Sequence, residues 1–412
     1  MTWTKEEIKA FEKVLNFLFP AGNRKHILQY IFWNKKLWHY LGARVCYYNK
    51  GDILDLYLDA EVKNTNEPYN IFNFVVNLIY NGHTSITGTT YTYFIVPDSH
   101  VITKSLLKLP YGAARVDEID KNFDLIIISD RAFAEYIRNA YKKDEFLNLN
   151  NINICEYYKN IPTYWVGDLF TYLSNVLNDI FNSDAFTNFE RYQHNLEDIY
   201  NKELIQKLKG KKWITEKFYN PIVYKISPTI KNHSSCEFEY MNLFFIRIPN
   251  YYRISKSSDE YKLALAEKIR KWQNQFFIIE KTDKVTTHQI VRHKTLNFLQ
   301  RSDRYTKTRK SEVIILMDEI NYANPEWKVD TLVSYFDGLI TDKWSRILKY
   351  ENKLKRGFKK EAARDELQQF KSTNIVIAGL RRFIEDFINE RIKPDAQNHI
   401  RVIAKAMDNL II

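Results

Sequence analysis

His288–Tyr305 reads HQIVRHKTLNFLQRSDRY and gathers Gln289, Arg292, His293, Lys294, Arg301, Arg304 and the hydroxyls of Ser302 and Tyr305 into one window. Arginine presents a planar fork of N–H donors that matches phosphate and carboxylate oxygens, whereas lysine presents a compact charge. Gln289 and Arg292 stand three residues apart and share a face if the segment is helical. Ser302 and Arg304 share a face if its far end is extended. So arranged, the stretch could hold a phosphate and read the amide-like edge of a small ring. On chemistry alone the alternative is a solvated basic segment.

The spacing narrows the choice. Arg292-His293-Lys294, seven residues, Ser302 and then Arg304-Tyr305 resembles the RHR-x7-S signature of the flavin-dependent thymidylate synthases, with Lys294 as the third basic residue. Downstream, Glu361-Ala362-Ala363-Arg364 is similar to that family's E-x-A-R segment. Arg391, ahead of Pro394-Asp395-Ala396-Gln397, is similar to its L-R-x-x-x-x-A-Q segment, with Glu390 in place of the leucine. Upstream, Ala43-Arg44-Val45-Cys46-Tyr47 resembles the family's opening strand, and Gly82-His83-Thr84-Ser85 its G-H-x-[ST] turn. The matches fall in the family's order.

The resemblance implies an enzyme that methylates C5 of a pyrimidine nucleotide of the dUMP type. FAD would be the cofactor, with methylene-tetrahydrofolate as one-carbon donor and NADPH as reductant. It also implies roles. Gln289, Arg292, Gln300, Ser302, Arg304, Arg364 and Arg391 would form the nucleotide pocket, with Ser302, Arg292 and His83 nearest the reaction. Ser85, His293, Lys294 and Arg382 would hold the flavin. Several guanidiniums around a phosphate dianion make charge-assisted hydrogen bonds, and a glutamine offers a uracil edge both donor and acceptor. Hydride in this family comes from reduced flavin, so Ser302 need not be a nucleophile. The chain departs from the family on the flavin side. Gly88-Thr89 replaces a Glu-His pair, Leu380 and Asp386 replace two asparagines, and Gln300 replaces a glutamate. A homologue without catalysis, keeping the pocket as a nucleotide-binding or regulatory module, is therefore the second reading.

The matching segments are separated by about 105–280, a stretch that the family's single domain does not need. Self-comparison suggests two copies. Phe94–Asp98 through Ile102–Ser105 aligns with Ile246–Asn250 through Ile254–Ser257, and after a one-residue slip Ser129-Asp130-Arg131 aligns with Thr282-Asp283-Lys284. The expected architecture is α/β (α+β), two thymidylate-synthase-like units with a mixed sheet and long helices. Residues 1–210 would be a degenerate first copy and 211–412 the copy with the signature, the boundary falling near QKLKGKKW. The first keeps the ARVCY and GHTS segments, while Asn139 and Ala140 stand where the second has Arg292 and His293. In the second copy, Asn232-His233-Ser234-Ser235 comes nearest to the turn. A fused pair could build one site from unlike halves, with His83 and Ser85 facing Arg292 and Arg304. A homodimer would then form a pseudo-tetramer.

Composition agrees with a folded protein. The chain has 412 residues, 45% hydrophobic and 15% aromatic, with 11 Gly and 10 Pro. A net charge of +11 favours anionic partners from nucleotides to nucleic acid. The basic run KLKRGFKK at 353–360 reads as a solvated helix end, so nucleic acid is not the expected partner. Three scattered cysteines point to a reducing, cytoplasmic setting and to no zinc site. Neither a membrane span, a G-x-G-x-x-G loop, a phosphate loop nor an H-E-x-x-H metal motif is present. Residues 92–97, 125–129 and 276–280 read as strands. Residues 6–20, capped by Thr4, read as a helix, as do 327–353, 357–370 and 376–393.

Overall fold

Helical spacing of apolar residues dominates the first eighty positions, and helices form there. The computed structural model describes residues 3–19, 24–48, 52–96, 99–110, 112–120, 123–149, 189–226, 243–245, 260, 264, 267–268, 270–302, 306–367 and 371–411. Helix α1 (Lys5–Leu18) starts where the sequence predicts. Thr4 accepts from the Glu7 amide at 3.2 Å and its own amide donates to the Glu7 carboxylate at 2.6 Å, a reciprocal capping box. Helices α2 (Arg24–Asn34), α3 (Lys36–Tyr47), α4 (Ile53–Asn66) and α5 (Pro68–Tyr80) follow, the last opening on proline where its missing N–H costs nothing.

The segment Ala43–Tyr47 is the end of α3 and not a strand. Lys36, His39, Tyr40 and Ala43 are buried at i, i+3, i+4 and i+7, so the helical period decides its conformation over the local β-formers.

Two sheets carry the remaining core. The first has strands β1 (Tyr91–Val96), β2 (Ala114–Asp120) and β3 (Phe123–Ser129) in the order β2-β3-β1, with a distant strand, β6 (Leu243–Phe245), parallel to β1. The second runs in the order β4 (Phe189–Tyr192), β5 (Ile222–Ile226), β7 (Asn274–Thr282), β9 (Thr373–Leu380) and β8 (Asn297–Gln300), antiparallel throughout. The fold is thus mixed α/β, as expected. Helix α6 (His100–Leu106) packs on α1, and α7 (Asp130–Ala140) follows β3 and packs on it. Helix α8 (Lys284–Ile290) leaves β7, and α9 (Val329–Lys355) is the long helix predicted for 327–353. Helices α10 (Arg381–Arg391) and α11 (Asn398–Asp408) close the chain. Among the described residues no helix is long and apolar enough to cross a membrane.

Two elements differ from the sequence reading. Residues 373–380 are a strand, with α10 beginning only at Arg381. All eight positions of β9 are buried. Val376 and Ala378 face the amino-terminal helices, while Ile375 and Ile377 face α10 and α11. With both faces covered, the alternation that marks a strand disappears from its sequence. Among the described residues of the stretch 357–370 there are one helical turn, Lys360–Ala363, and a 3-10 turn, Arg364–Glu366, while 368–370 lie outside the described residues. Gly357, at φ 85°, ends α9 in the left-handed conformation and redirects the chain.

Helix α3 lies directly on the signature strand. A Cβ added at Gly42 would fall 2.7 Å from Leu299 Cδ1. Gly42→Ala is expected to cost about 1–3 kcal/mol of overpacking, offset by about 1 kcal/mol of helix propensity. Urea denaturation should show a net loss, and a gain would mean that β8 yields freely.

The amino-terminal layer is also pinned to the second sheet by a shared proton. The Tyr224 hydroxyl lies 2.7 Å from Asp52, the N-cap of α4, and 2.8 Å from Glu280 on β7. One hydroxyl proton cannot be given fully to two carboxylates at once, so Asp52 and Glu280 compete for it. Burial pushes Glu280 up; Tyr224 opposes this and Asp52 adds to it. A carboxyl raised in the folded state contributes stability below its unfolded pKa of about 4.3 and loses it as pH rises through its folded value. Glu280→Gln should remove that loss. Denaturation midpoints from about pH 4 to about pH 8 should decline less in the variant, and equal slopes would contradict the shared proton.

Candidate nucleotide site

Asp283 caps α8, its carboxylate accepting from the Thr286 amide at 3.0 Å and the Thr286 hydroxyl at 2.6 Å. That cap sets the helix so that Gln289 lies in its last turn and Arg292-His293-Lys294 in the turn beyond. There the Arg292 amide donates to the Gln289 carbonyl at 3.3 Å and the His293 amide to Ile290 at 3.2 Å. The chain then enters β8, whose Gln300 side chain donates to the Thr287 hydroxyl at 3.0 Å.

Two side-chain contacts join this turn to the carboxy-terminal segment. Gln289 Nε2 donates to Gln397, from the A-Q segment. Arg391 Nε donates to His293 Nε2 at 2.8 Å, and Glu390 lies 3.7 Å from the other ring nitrogen. Burial, and then the Arg391 charge, hold His293 below its ordinary pKa, with Glu390 opposing. Arg292, Lys294, Arg364 and Arg382 are exposed, and Arg382 lies with its guanidinium 5.5 Å from the Trp272 ring centroid. Arg304 and Tyr305 lie outside the described residues, as do Asn232–Ser235 and residues 246–257 of the second repeat arm.

The amino-terminal segments do come to the signature strand. The Ser302 amide donates to the Cys46 carbonyl at 2.9 Å, joining the ARVCY segment to the signature serine. After the Gly82–Ser85 turn, the 3-10 segment Thr84–Thr89 packs on β8 and β7. A Cβ at Gly88 would sit 3.0 Å from Asn297 Oδ1, and Asn274 donates to the Thr89 carbonyl at 3.1 Å. Asn297 also donates to the Tyr91 hydroxyl at 2.8 Å. His83 and Ser85 are exposed on this docked turn. Gly88 and Thr89, in contrast, are buried against Asn297 and β7, where a Glu-His pair would not fit without displacement.

Sequence reasoning did not foresee the part played by Arg301. It is 6% exposed, its Nη2 reaches both Glu312 oxygens at 2.7 Å, and its amide donates to the Asn374 carbonyl at 2.9 Å. Its charge is consumed in fixing the end of β8.

The family described as thymidylate synthase complementing protein matches residues 273–412. A flavin-dependent thymidylate synthase of Thermococcus onnurineus (strain NA1) is 31% identical over 138 residues, 32% of this chain and 51% of the relative. The flavin-dependent thymidylate synthase of Pyrococcus furiosus is 29% identical over 136 residues, with the same coverage. The chain thus spans about half the length of the curated relatives it matches. A solved structure of a UMP/dUMP methylase PolB from Streptomyces cacaoi, bound with 5-Br dUMP, aligns at TM-score 0.30 and 14% identity over 39% of this chain and 81% of that one. Residues 273–412 are thus the part of the chain that is similar to the flavin-dependent thymidylate synthases.

Proposed function

We propose that this protein methylates C5 of a pyrimidine nucleotide, dUMP in the first instance, with flavin as cofactor, methylene-tetrahydrofolate as one-carbon donor and NADPH as reductant. The observation that carries the reading is the meeting of His293 with Arg391 and of Gln289 with Gln397, four residues from two segments that both match the family. Arg391, with Arg292, Arg304 and Arg364, would bind the phosphate and base carbonyls, and Gln289 and Gln300 would orient the ring. Ser302 would border the reacting carbon. The flavin donor set suits a dinucleotide in its chemistry: Lys294 and Arg382 offer cations for a pyrophosphate, His83 and Ser85 polar atoms for the rest, and all four are exposed. Bound and reduced, that flavin supplies hydride; the protein binds, orients and excludes water.

Two further points belong to this reading. The exposure of Arg292, Lys294 and Arg364 suits a site completed by a second copy, as a homodimer would provide. Internal duplication is supported by the aligned Asp130 and Asp283, both 0% exposed where a strand passes into a helix.

One observation favours the second reading, a nucleotide-binding module without catalysis. Gly88 has no side chain, Leu380 is apolar and 2% exposed, and the buried Thr89 hydroxyl donates to the Ile86 carbonyl at 3.0 Å, so these three positions present no free polar group to a flavin. Incubating the purified chain with FAD, recording its visible spectrum with and without dUMP, and measuring tritium release from C5-tritiated dUMP separates the two. A flavin spectrum perturbed by dUMP, together with tritium release, is expected. Nucleotide binding without either would favour the module, and a colourless protein that binds no dUMP would exclude both.

A further inference from the structure

Arg391 ends α10 and reaches back to the turn after α8, where Nε donates to His293 Nε2 at 2.8 Å. A ring nitrogen that accepts carries no proton, so the neutral ring has its proton on Nδ1. That nitrogen points toward Glu390 Oε2, 3.7 Å away. Phe387, one turn earlier on α10, meets the ring edge-on with centroids 4.8 Å apart. The His293 side chain is only 12% exposed. The imidazole is therefore fixed on three sides. It engages the one guanidinium N–H set along the side chain, while the terminal Nη pair, the end that makes two parallel bonds to an anion or a pair of carbonyls, makes a longer contact, Nη2 to Glu390 Oε1 at 3.7 Å, that an incoming anion would have to displace.

We infer that His293 is a positioning residue for Arg391, fixing the guanidinium so that its Nη pair meets a bound pyrimidine nucleotide in a single orientation. The inference rests on the pyrimidine-nucleotide reading above, and it gives His293 a task other than the flavin contact that the resemblance implied. An arginine on a surface helix samples many rotamers, and ordering it in advance removes an entropic cost that binding would otherwise bear. The charged groups facing His293 are Arg391 and Glu390 from α10, with Arg292 and Lys294 flanking it in its own turn. Protonating the ring removes the acceptor and sets a cation against Arg391.

The test uses the full chain, dUMP titrated by calorimetry, and the Arg391 Nε–H resonance, assigned by its loss in Arg391→Lys. His293→Phe keeps the ring contact with Phe387 and removes the acceptor; His293→Gln restores an acceptor without a titratable ring. His293→Phe should weaken dUMP binding at least about tenfold, and His293→Gln by no more than about threefold. Wild-type affinity should fall as pH is lowered from about 7 to about 5, and that of His293→Gln should not. Undiminished binding by His293→Phe, or the same pH profile in His293→Gln, overturns the inference. If the wild type binds no dUMP, the substrate reading fails by itself. The positioning role then stands or falls on whether the hydrogen-bonded Nε–H signal is present in the wild type and lost in His293→Phe. The wild-type pH series decides the matter even if a variant does not fold.

Discussion

Asp130→Ala is expected to destabilise the protein by about 3–5 kcal/mol, the range for removing one partner of a buried ion pair. Asp130 is 0% exposed at the start of α7, and its carboxylate takes Lys35 Nζ at 3.0 and 2.8 Å, the Thr90 hydroxyl at 2.5 Å and the Thr92 hydroxyl at 2.7 Å. His39 completes the cluster, its Nε2 lying 2.7 Å from the Thr90 oxygen. Because that hydroxyl gives its proton to Asp130, the imidazole is the donor. Burial pushes His39 down to about 4, with Asp130 opposing and Lys35 adding, so the ring is neutral at physiological pH. Burial likewise pushes Lys35 down against the pull of Asp130. Removing the carboxylate would leave a buried ammonium without its counter-charge, though still bonded to the Tyr91 carbonyl and the Thr92 hydroxyl, and would take away the acceptor of two hydroxyls. A Lys35→Met, Asp130→Leu double variant should recover much of the loss, because desolvating an ion pair costs about as much as its attraction returns. Urea denaturation of the single and double variants measures both effects. A loss under about 1 kcal/mol in Asp130→Ala would mean that water reaches the cluster.

Glu312→Ala should have an effect of similar size, about 3–5 kcal/mol, and should also reach the site. Arg301 and Glu312 are both largely buried, with side-chain exposures of 4% and 12%, and their contact is bidentate. The Arg301 Nε also donates to the Thr306 hydroxyl at 3.3 Å, and that hydroxyl donates to the Ser302 carbonyl at 2.8 Å. Loss of Glu312 would leave the guanidinium unpaired and release both flanks of Ser302. The variant should therefore melt earlier and bind dUMP more weakly. Glu312→Gln, which keeps an acceptor without the charge, should fall between. Unchanged nucleotide binding in a destabilised Glu312→Ala would show that Ser302 is held without Glu312, its amide donating to the Cys46 carbonyl and its carbonyl accepting from the Thr306 amide at 3.1 Å.

How far these features could be read in advance depended on where each partner lies in the chain. Helices α1 and α9 were legible because their apolar stripes and caps are local. Strands β1, β3 and β7 were legible as β-branched and aromatic runs. Strand β9 was not, since burial on both faces erased its alternation. The resemblance put Gln289 and Arg391 in one pocket and His293 beside the flavin; the contact of His293 with Arg391 was not foreseen, because the two lie 98 positions apart in sequence. The role of Arg301 did not follow, because Glu312 lies eleven residues beyond it and outside the motif. The Lys35–Asp130 pair is 95 positions apart in sequence and left no local trace.

The bond from Ser302 to Cys46, and the packing of α3 on β8, bear on how this protein could be taken apart. Leu299, Val376 and Ala378 form one surface of the family-matching region, and their cover is supplied by helices that precede it by hundreds of positions. Expressed by itself, the carboxy-terminal third would present a naked hydrophobic sheet and precipitate. A chimera with the Thermococcus onnurineus protein would have to exchange α3 and the Gly82–Thr89 turn together with it, because the stretch that matches in sequence and the unit that folds do not coincide.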